Sequence, residues 1–269
     1  MAKTGGEEDL HRAAADAPDT IRRPATGWAM LEPMRFAWEL SALAWTGPLL
    51  AAVPRGDGHP VMVLPGFAST DCGTVLLRKY LSLLGYEVFP WNLGWNLDQH
   101  SAGENGEYVA RRIEKIARKT GRKVSLVGWS LGGVIAREAA RRDPGQVRQV
   151  ITLASPFAGN PRATSMAILY QVITGNRPSQ PESRARYRCG HRPLSVPSSA
   201  LFSKSDGAVA WQNCVSETDA ITENIEVYSS HSGFAANPAV FYAVADRLAQ
   251  PEHEWRKFAA GGPYAAFFP

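Results

Sequence analysis

The run Val124-Ser125-Leu126-Val127-Gly128-Trp129-Ser130-Leu131-Gly132-Gly133 sets a serine between two glycines in the spacing G-x-S-x-G. A serine hydroxyl is a weak nucleophile. To attack a carbonyl it must be presented on a sharp turn and lose its proton to a neighbouring base. The apolar residues Val124 to Val127 predict a strand, and Leu131 to Arg142 predict a helix that follows at once. Gly128 and Gly132 spare the side chains that would clash where a strand turns directly into a helix. The N-terminus of that helix favours negative charge developing beside Ser130. The pattern alone also arises in unrelated glycine-rich turns, so the strand–turn–helix setting carries the weight.

Such a serine needs a base and an acid to orient it. His231 stands in Ser229-Ser230-His231-Ser232-Gly233, just after the apolar run Ile225 to Tyr228. Asp206 stands in Ser203-Lys204-Ser205-Asp206-Gly207, just after Ala200 to Ser203. Parallel sheets place their sites at the carboxyl ends of strands, and both residues fall there. His11, His59, His100, His191 and His253 sit in less suitable places, and Asp219 is a weaker substitute for Asp206. The bland alternatives are a loop histidine and an Asp-Gly turn. An oxyanion needs backbone donors as well. The Leu131 N–H follows the nucleophile directly. The Phe67 N–H lies in Leu64-Pro65-Gly66-Phe67, where Gly66 permits close backbone approach; the competing reading is a plain Pro-Gly turn.

The elements that must hold these groups alternate. Strands are expected at Val61–Leu64, Tyr86–Phe89, Val124–Val127, Val150–Leu153, Ala200–Ser203 and Ile225–Tyr228. Helices are expected over Leu76–Leu84, Tyr108–Lys119 and Leu131–Arg142, with a last one from the Asn237 N-cap and Pro238 to about Ala249. This predicts an α/β fold, a mostly parallel sheet of about six strands flanked by helices. Residues 59–250 form that domain. Residues 158–196 carry no clear strand and predict an inserted cap or lid, because a structureless loop of that length is improbable. Residues 1–26 read as a flexible tail, 27–58 as an apolar helical extension and 251–269 as a C-terminal tail. The extension's helix should open at Glu32-Pro33 and end at Gly47-Pro48, and its aromatic residues cover more than one face. It either packs on the domain or meets a lipid interface or substrate.

Composition narrows the class. The chain has 269 residues, 45% hydrophobic and 20% charged, with a net charge of +4, which excludes a disordered chain. Glycine and proline follow no period, which excludes a repeat protein. No apolar run is long enough to span a bilayer. The acidic start, Glu7-Glu8-Asp9, does not read as a secretory signal, and three cysteines without C-x-x-C spacing suit a reducing, cytoplasmic setting. A Cys189–Cys214 bridge stays open beside three free thiols. Arg111, Lys115, Arg118 and Arg122 are interleaved with Glu107 and Glu114, so they read as a solvated face and not a nucleic-acid surface. No cofactor or metal cluster is evident.

These segments, together with Thr152-Leu153-Ala154-Ser155-Pro156-Phe157, resemble the α/β-hydrolase superfamily, on its bacterial lipase and carboxylesterase branch. The order Ser130, Asp206, His231 is the superfamily's. The resemblance implies a serine hydrolase of carboxylic esters, with Ser130 as nucleophile, His231 as base, Asp206 as orienting acid, and Phe67 and Leu131 as the oxyanion hole. It implies hydrophobic acyl or lipid substrates, no cofactor and no metal. Pro65 departs from the histidine common before the oxyanion glycine. The family's eight-stranded sheet would here be shortened to about six. Trp129, Trp91, Met166 and Ile168 are the candidate substrate-binding residues, against a reading as core aromatics. Peripheral lipid contact would run through the N-terminal helix and the lid. An acyltransferase on the same triad and a non-catalytic lipid binder are the alternatives.

Overall fold

The computed structural model describes residues 20–165, 170–172 and 189–269. Six strands, β1 (Pro60–Leu64), β2 (Glu87–Pro90), β3 (Val124–Trp129), β4 (Val147–Leu153), β5 (Ser198–Phe202) and β6 (Thr222–Glu226), form one sheet in the order β2-β1-β3-β4-β5-β6. Every pairing is parallel. The long helices are α1 (Thr26–Ala51), α2 (Val75–Leu83), α3 (Glu107–Thr120), α4 (Leu131–Arg142) and α5 (Pro238–Leu248).

The near-continuous apolar strands are explained by burial on both faces. Val61 and Val63 of β1 join a cluster with Leu77 and Leu81 of α2 and Val240 and Val244 of α5. Met62 and Leu64 face the other way, into Val109 and Ile113 of α3 and Val134 and Ile135 of α4. Such strands lose the polar alternation of a half-exposed sheet. Chain order reverses beside β1: the chain goes out to β2 and returns to place β3 on β1's other side. Ligands of doubly wound sheets bind at that reversal, above the carboxyl ends.

Differences from the expected bounds have physical reasons. β6 begins at Thr222, three residues before the apolar run, because its buried polar residues are satisfied. Glu223 accepts from Ser199 Oγ (2.7 Å) and Arg247 Nη1 (2.9 Å). β4 likewise starts at Val147, with Arg148 bound to the Gln250 carbonyl (2.8 Å). Helix α1 runs through Pro33 and Pro48 instead of starting and stopping at them. Each proline removes one donor from the helix, and both prolines are exposed. At the C-terminus, Tyr242 of α5 stacks on Tyr264 (3.9 Å between centroids) and meets Phe258 and Phe268. Cys72, Cys189 and Cys214 are free thiols. Among the described residues, no helix is long and apolar enough to cross a membrane.

A second Ser-His-Asp network lies at the opposite ends of the strands. His59 Nε2 is 2.8 Å from Ser125 Oγ, and its Nδ1 is 2.5 Å from Asp57 Oδ1. Ser125 and His59 are wholly buried, so no substrate reaches them. Burial, with the charge of Arg148, depresses the His59 pKa to about 4 from its ordinary 6.5. A depressed imidazole stabilises the fold fully above pH 6.5, and that contribution is lost as pH falls toward 4. Unfolding free energy should therefore drop over this window by about 3 kcal/mol from this group. Urea titrations at a series of pH values check it: His59→Gln should flatten the slope, and an unchanged slope in that variant would refute the assignment.

Candidate active site

Ser130 occupies the turn between β3 and α4 with φ 52° and ψ −122°. A non-glycine residue is strained there, and the surroundings enforce the conformation. The Ser130 N–H donates to the Leu153 carbonyl (2.8 Å). A Cβ on Gly128 would lie 2.4 Å from the Gly133 backbone, and one on Gly132 would lie 2.5 Å from the Leu64 carbonyl oxygen. These glycines are required by space, because α4 crosses directly over the ends of β3 and β1.

The three side chains expected to work together meet. His231 Nε2 is 3.0 Å from Ser130 Oγ, and His231 Nδ1 is 2.8 Å from Asp206 Oδ2. The other oxygen of Asp206 accepts the N–H groups of Ala208 and Val209, both at 2.8 Å, which fixes the carboxylate's orientation. Asp206 and His231 are buried, whereas Ser130 is partly exposed. Burial pushes the His231 pKa down, but the charge and hydrogen bond of Asp206, with the charge of Glu32, outweigh it, and the net direction is up. Asp219 lies outside the relay and accepts from Ile221 N (2.9 Å).

The loop after β1 approaches closely. A Cβ on Gly66 would be 3.3 Å from Ser130 Cβ and 3.1 Å from the Trp129 ring. This brings the loop that carries Phe67 against Ser130. The loop is held by Asn96, which is wholly buried. Asn96 Nδ2 donates to the Pro65 carbonyl (2.7 Å), its carbonyl accepts from Ala68 N (2.9 Å), and its own N–H reaches Ser69 (2.8 Å). Asn96 was not evident in the sequence, since it belongs to no periodic element.

The candidate substrate contacts fare differently. Trp91 is wholly buried in the cluster beneath α3, with its indole N–H on the Gly94 carbonyl (2.9 Å). This corrects its expected role: it has no surface to offer a ligand. Trp129 is partly buried and donates through Nε1 to the His231 carbonyl (3.1 Å), bracing the loop that carries the histidine. Met166 and Ile168 lie outside the described residues. Tyr170, from the same insertion, sets its ring 5.2 Å from that of Phe67 and its hydroxyl 2.5 Å from Asp98. Among the described residues, no group of three or more His, Cys, Asp or Glu is placed to hold a metal ion.

Comparison with known proteins bears on the fold. The family described as PGAP1-like alpha/beta domain matches residues 97–186. A pimeloyl-[acyl-carrier protein] methyl ester esterase of Shewanella sp. (strain MR-7) is 32% identical over 109 residues, covering 40% of this chain and 39% of that protein. A triacylglycerol lipase of Burkholderia plantarii is 27% identical over 144 residues, covering 51% and 40%. The chain thus spans less than half the length of these curated relatives. Aspergillus fumigatus lipase B superposes with a TM-score of 0.57 at 21% identity, over 74% of this chain and 55% of that one. A Paleococcus ferrophilus monoacylglycerol lipase superposes with a TM-score of 0.52 at 16% identity, over 73% and 96%. At such identities the solved structures speak for the fold. The chain has the α/β-hydrolase fold and is similar, over parts of its length, to bacterial esterases and lipases.

Proposed function

We propose that this chain is a serine esterase of lipase type that cleaves carboxylic esters through an acyl-enzyme on Ser130. The observation that carries it is the relay of Ser130, His231 and Asp206, at 3.0 and 2.8 Å, with the serine partly exposed. His231 takes the Ser130 proton as the hydroxyl attacks the ester carbonyl. The amides of Phe67 and Leu131 bind the oxyanion. The tetrahedral adduct collapses as His231 returns the proton to the leaving alcohol. Water, deprotonated by the same imidazole, then releases the acid. An organophosphonate probe tests the reading: it should label Ser130, identified by peptide mass, and wild-type protein left unlabelled would overturn the proposal.

Hydrophobic acyl groups suit this reading, since Phe67 follows the glycine that packs on Ser130 and its ring lies 5.2 Å from that of Tyr170. The insertion between β4 and β5, of which residues 166–169 and 173–188 lie outside the described residues, is proposed as a lid. Deleting residues 165–175 should change preference along a series of p-nitrophenyl esters more than the rate on the butyrate. An unchanged preference would count against a lid. Helix α1 supplies the lipid-interface contact: Trp38 and Trp45 are 76% and 85% exposed and stand with Met30 and Met34 on its outer side. The same ester series with phosphatidylcholine vesicles should rise in rate for wild type and not for Trp38→Ser with Trp45→Ser.

A further inference from the structure

Helix α1 is built against the usual pattern. Its large apolar residues Met30, Met34, Trp38 and Trp45 are exposed, while its buried residues are Glu39 and Leu50. Its three charged residues, Glu32, Arg35 and Glu39, lie at spacings of three and four, hence on one face. That face meets the two loops that carry the acid and the base.

One carboxylate oxygen joins those loops. Glu32 Oε1 accepts the N–H of Gly207, the residue after Asp206, at 2.9 Å, and the N–H of His231 itself, also at 2.9 Å. Its second oxygen takes the Ser232 N–H at 3.3 Å. Arg35 holds the acid loop from the other side, through the Ser205 carbonyl and Oγ (2.5 and 2.7 Å). Behind the histidine, Glu39 accepts from Ser230 N (2.7 Å), Ser230 Oγ (3.0 Å) and Ser229 Oγ (3.2 Å).

The glycines of both loops record the same fit. A Cβ on Gly207 would fall 2.6 Å from the Trp28 backbone, and one on Gly233 would fall 1.3 Å from Glu39 Oε2. Neither glycine has a positive φ, so space and not conformation requires them. The Asp-Gly and His-Ser-Gly sequences are shaped to receive this helix.

We propose that Glu32 is a positioning residue of the site: it locks the Asp206 and His231 loops into one register, with Glu39 fastening the rear of the histidine loop. This rests on the esterase reading above. The groups facing His231 are Asp206 beyond β5, Glu32, Arg35 and Glu39 from α1, and Ser130; the buried Cys214 thiol lies near Asp206. Removing the negative charge of Glu32 should ease deprotonation of the imidazole, while keeping an oxygen at that place should keep the loops aligned.

The experiment compares Glu32→Gln, Glu32→Ala and Ser130→Ala with wild type on p-nitrophenyl butyrate across pH. In Glu32→Gln the acid limb of kcat/KM should move down by about half a pH unit, with the alkaline plateau within about threefold of wild type. In Glu32→Ala kcat should fall about tenfold or more with KM little changed, as expected when the alignment of reacting groups is lost. An unmoved acid limb in Glu32→Gln overturns the proposal, and so does a Glu32→Ala kcat within twofold of wild type. If Glu32→Ala does not fold, the Gln variant decides alone. Titration of the His231 imidazole by NMR, in wild type and Glu32→Gln, reads the same shift without turnover. Full activity in Ser130→Ala would sink the esterase reading, while the NMR shift would still judge the role of Glu32.

Discussion

Ser130→Ala should lower kcat on p-nitrophenyl butyrate by about 10⁴-fold or more, leaving KM and the thermal midpoint near their wild-type values. The size follows from what the substitution removes. Without the hydroxyl no acyl-enzyme forms, and His231 has nothing to deprotonate except water. Binding and the two amides remain, so residual hydrolysis should stay above the uncatalysed rate. Folding should be little affected because Ser130 is itself partly exposed and its hydroxyl's hydrogen bond is to His231 Nε2. The measurement is steady-state turnover by protein purified free of host esterases. Equal rates in the two proteins would reject Ser130 as the nucleophile.

Gly128→Ala is the second large effect, and it acts on the fold. The added methyl group would lie 2.4 Å from Gly133 Cα and N and 2.5 Å from the Gly132 carbonyl carbon. All are backbone atoms of the first turn of α4, so no side chain can swing aside. Either α4 lifts from the sheet or the turn at Ser130 opens. Overpacking of this kind costs about 3 kcal/mol or more. For a chain of this size that is a fall in midpoint of roughly 6–12 °C. Activity should be lost even below the midpoint, because displacing α4 moves the Leu131 amide and the hydroxyl together. Differential scanning calorimetry checks the stability, and a variant that keeps the wild-type midpoint would show that the turn has room it is not expected to have.

Much of this was legible in the chain itself. Each of the six strands announced itself as a short apolar run because a parallel sheet covered on both faces admits little else at those positions. The glycine spacing around Ser130 was legible because a strand-to-helix reversal has few steric solutions. Asp206 and His231 were legible because they follow strands by a few residues, and strand ends are where such a sheet exposes its loops. The starts of two strands, β4 and β6, were misjudged by three residues, since Arg148, Gln149, Thr222 and Glu223 are polar yet buried, and partners distant in sequence, such as Gln250 for Arg148 and Ser199 and Arg247 for Glu223, make that tolerable.

What the chain determines alone is local: periodicity, turn sterics and the order of the groups that do chemistry. Tertiary structure alone decides which of two Ser-His-Asp networks can meet a substrate, because exposure depends on every layer packed above a residue. It also decides the duties of Asn96, Glu32 and Glu39. Their hydrogen bonds join segments up to 200 positions apart, and no local pattern encodes a partner at that distance. The spacing of Glu32, Arg35 and Glu39 puts the three charges of α1 on one face. That their face turns inward, and the tryptophans outward, depends on the buried N–H groups of two loops that only the folded chain brings beneath it.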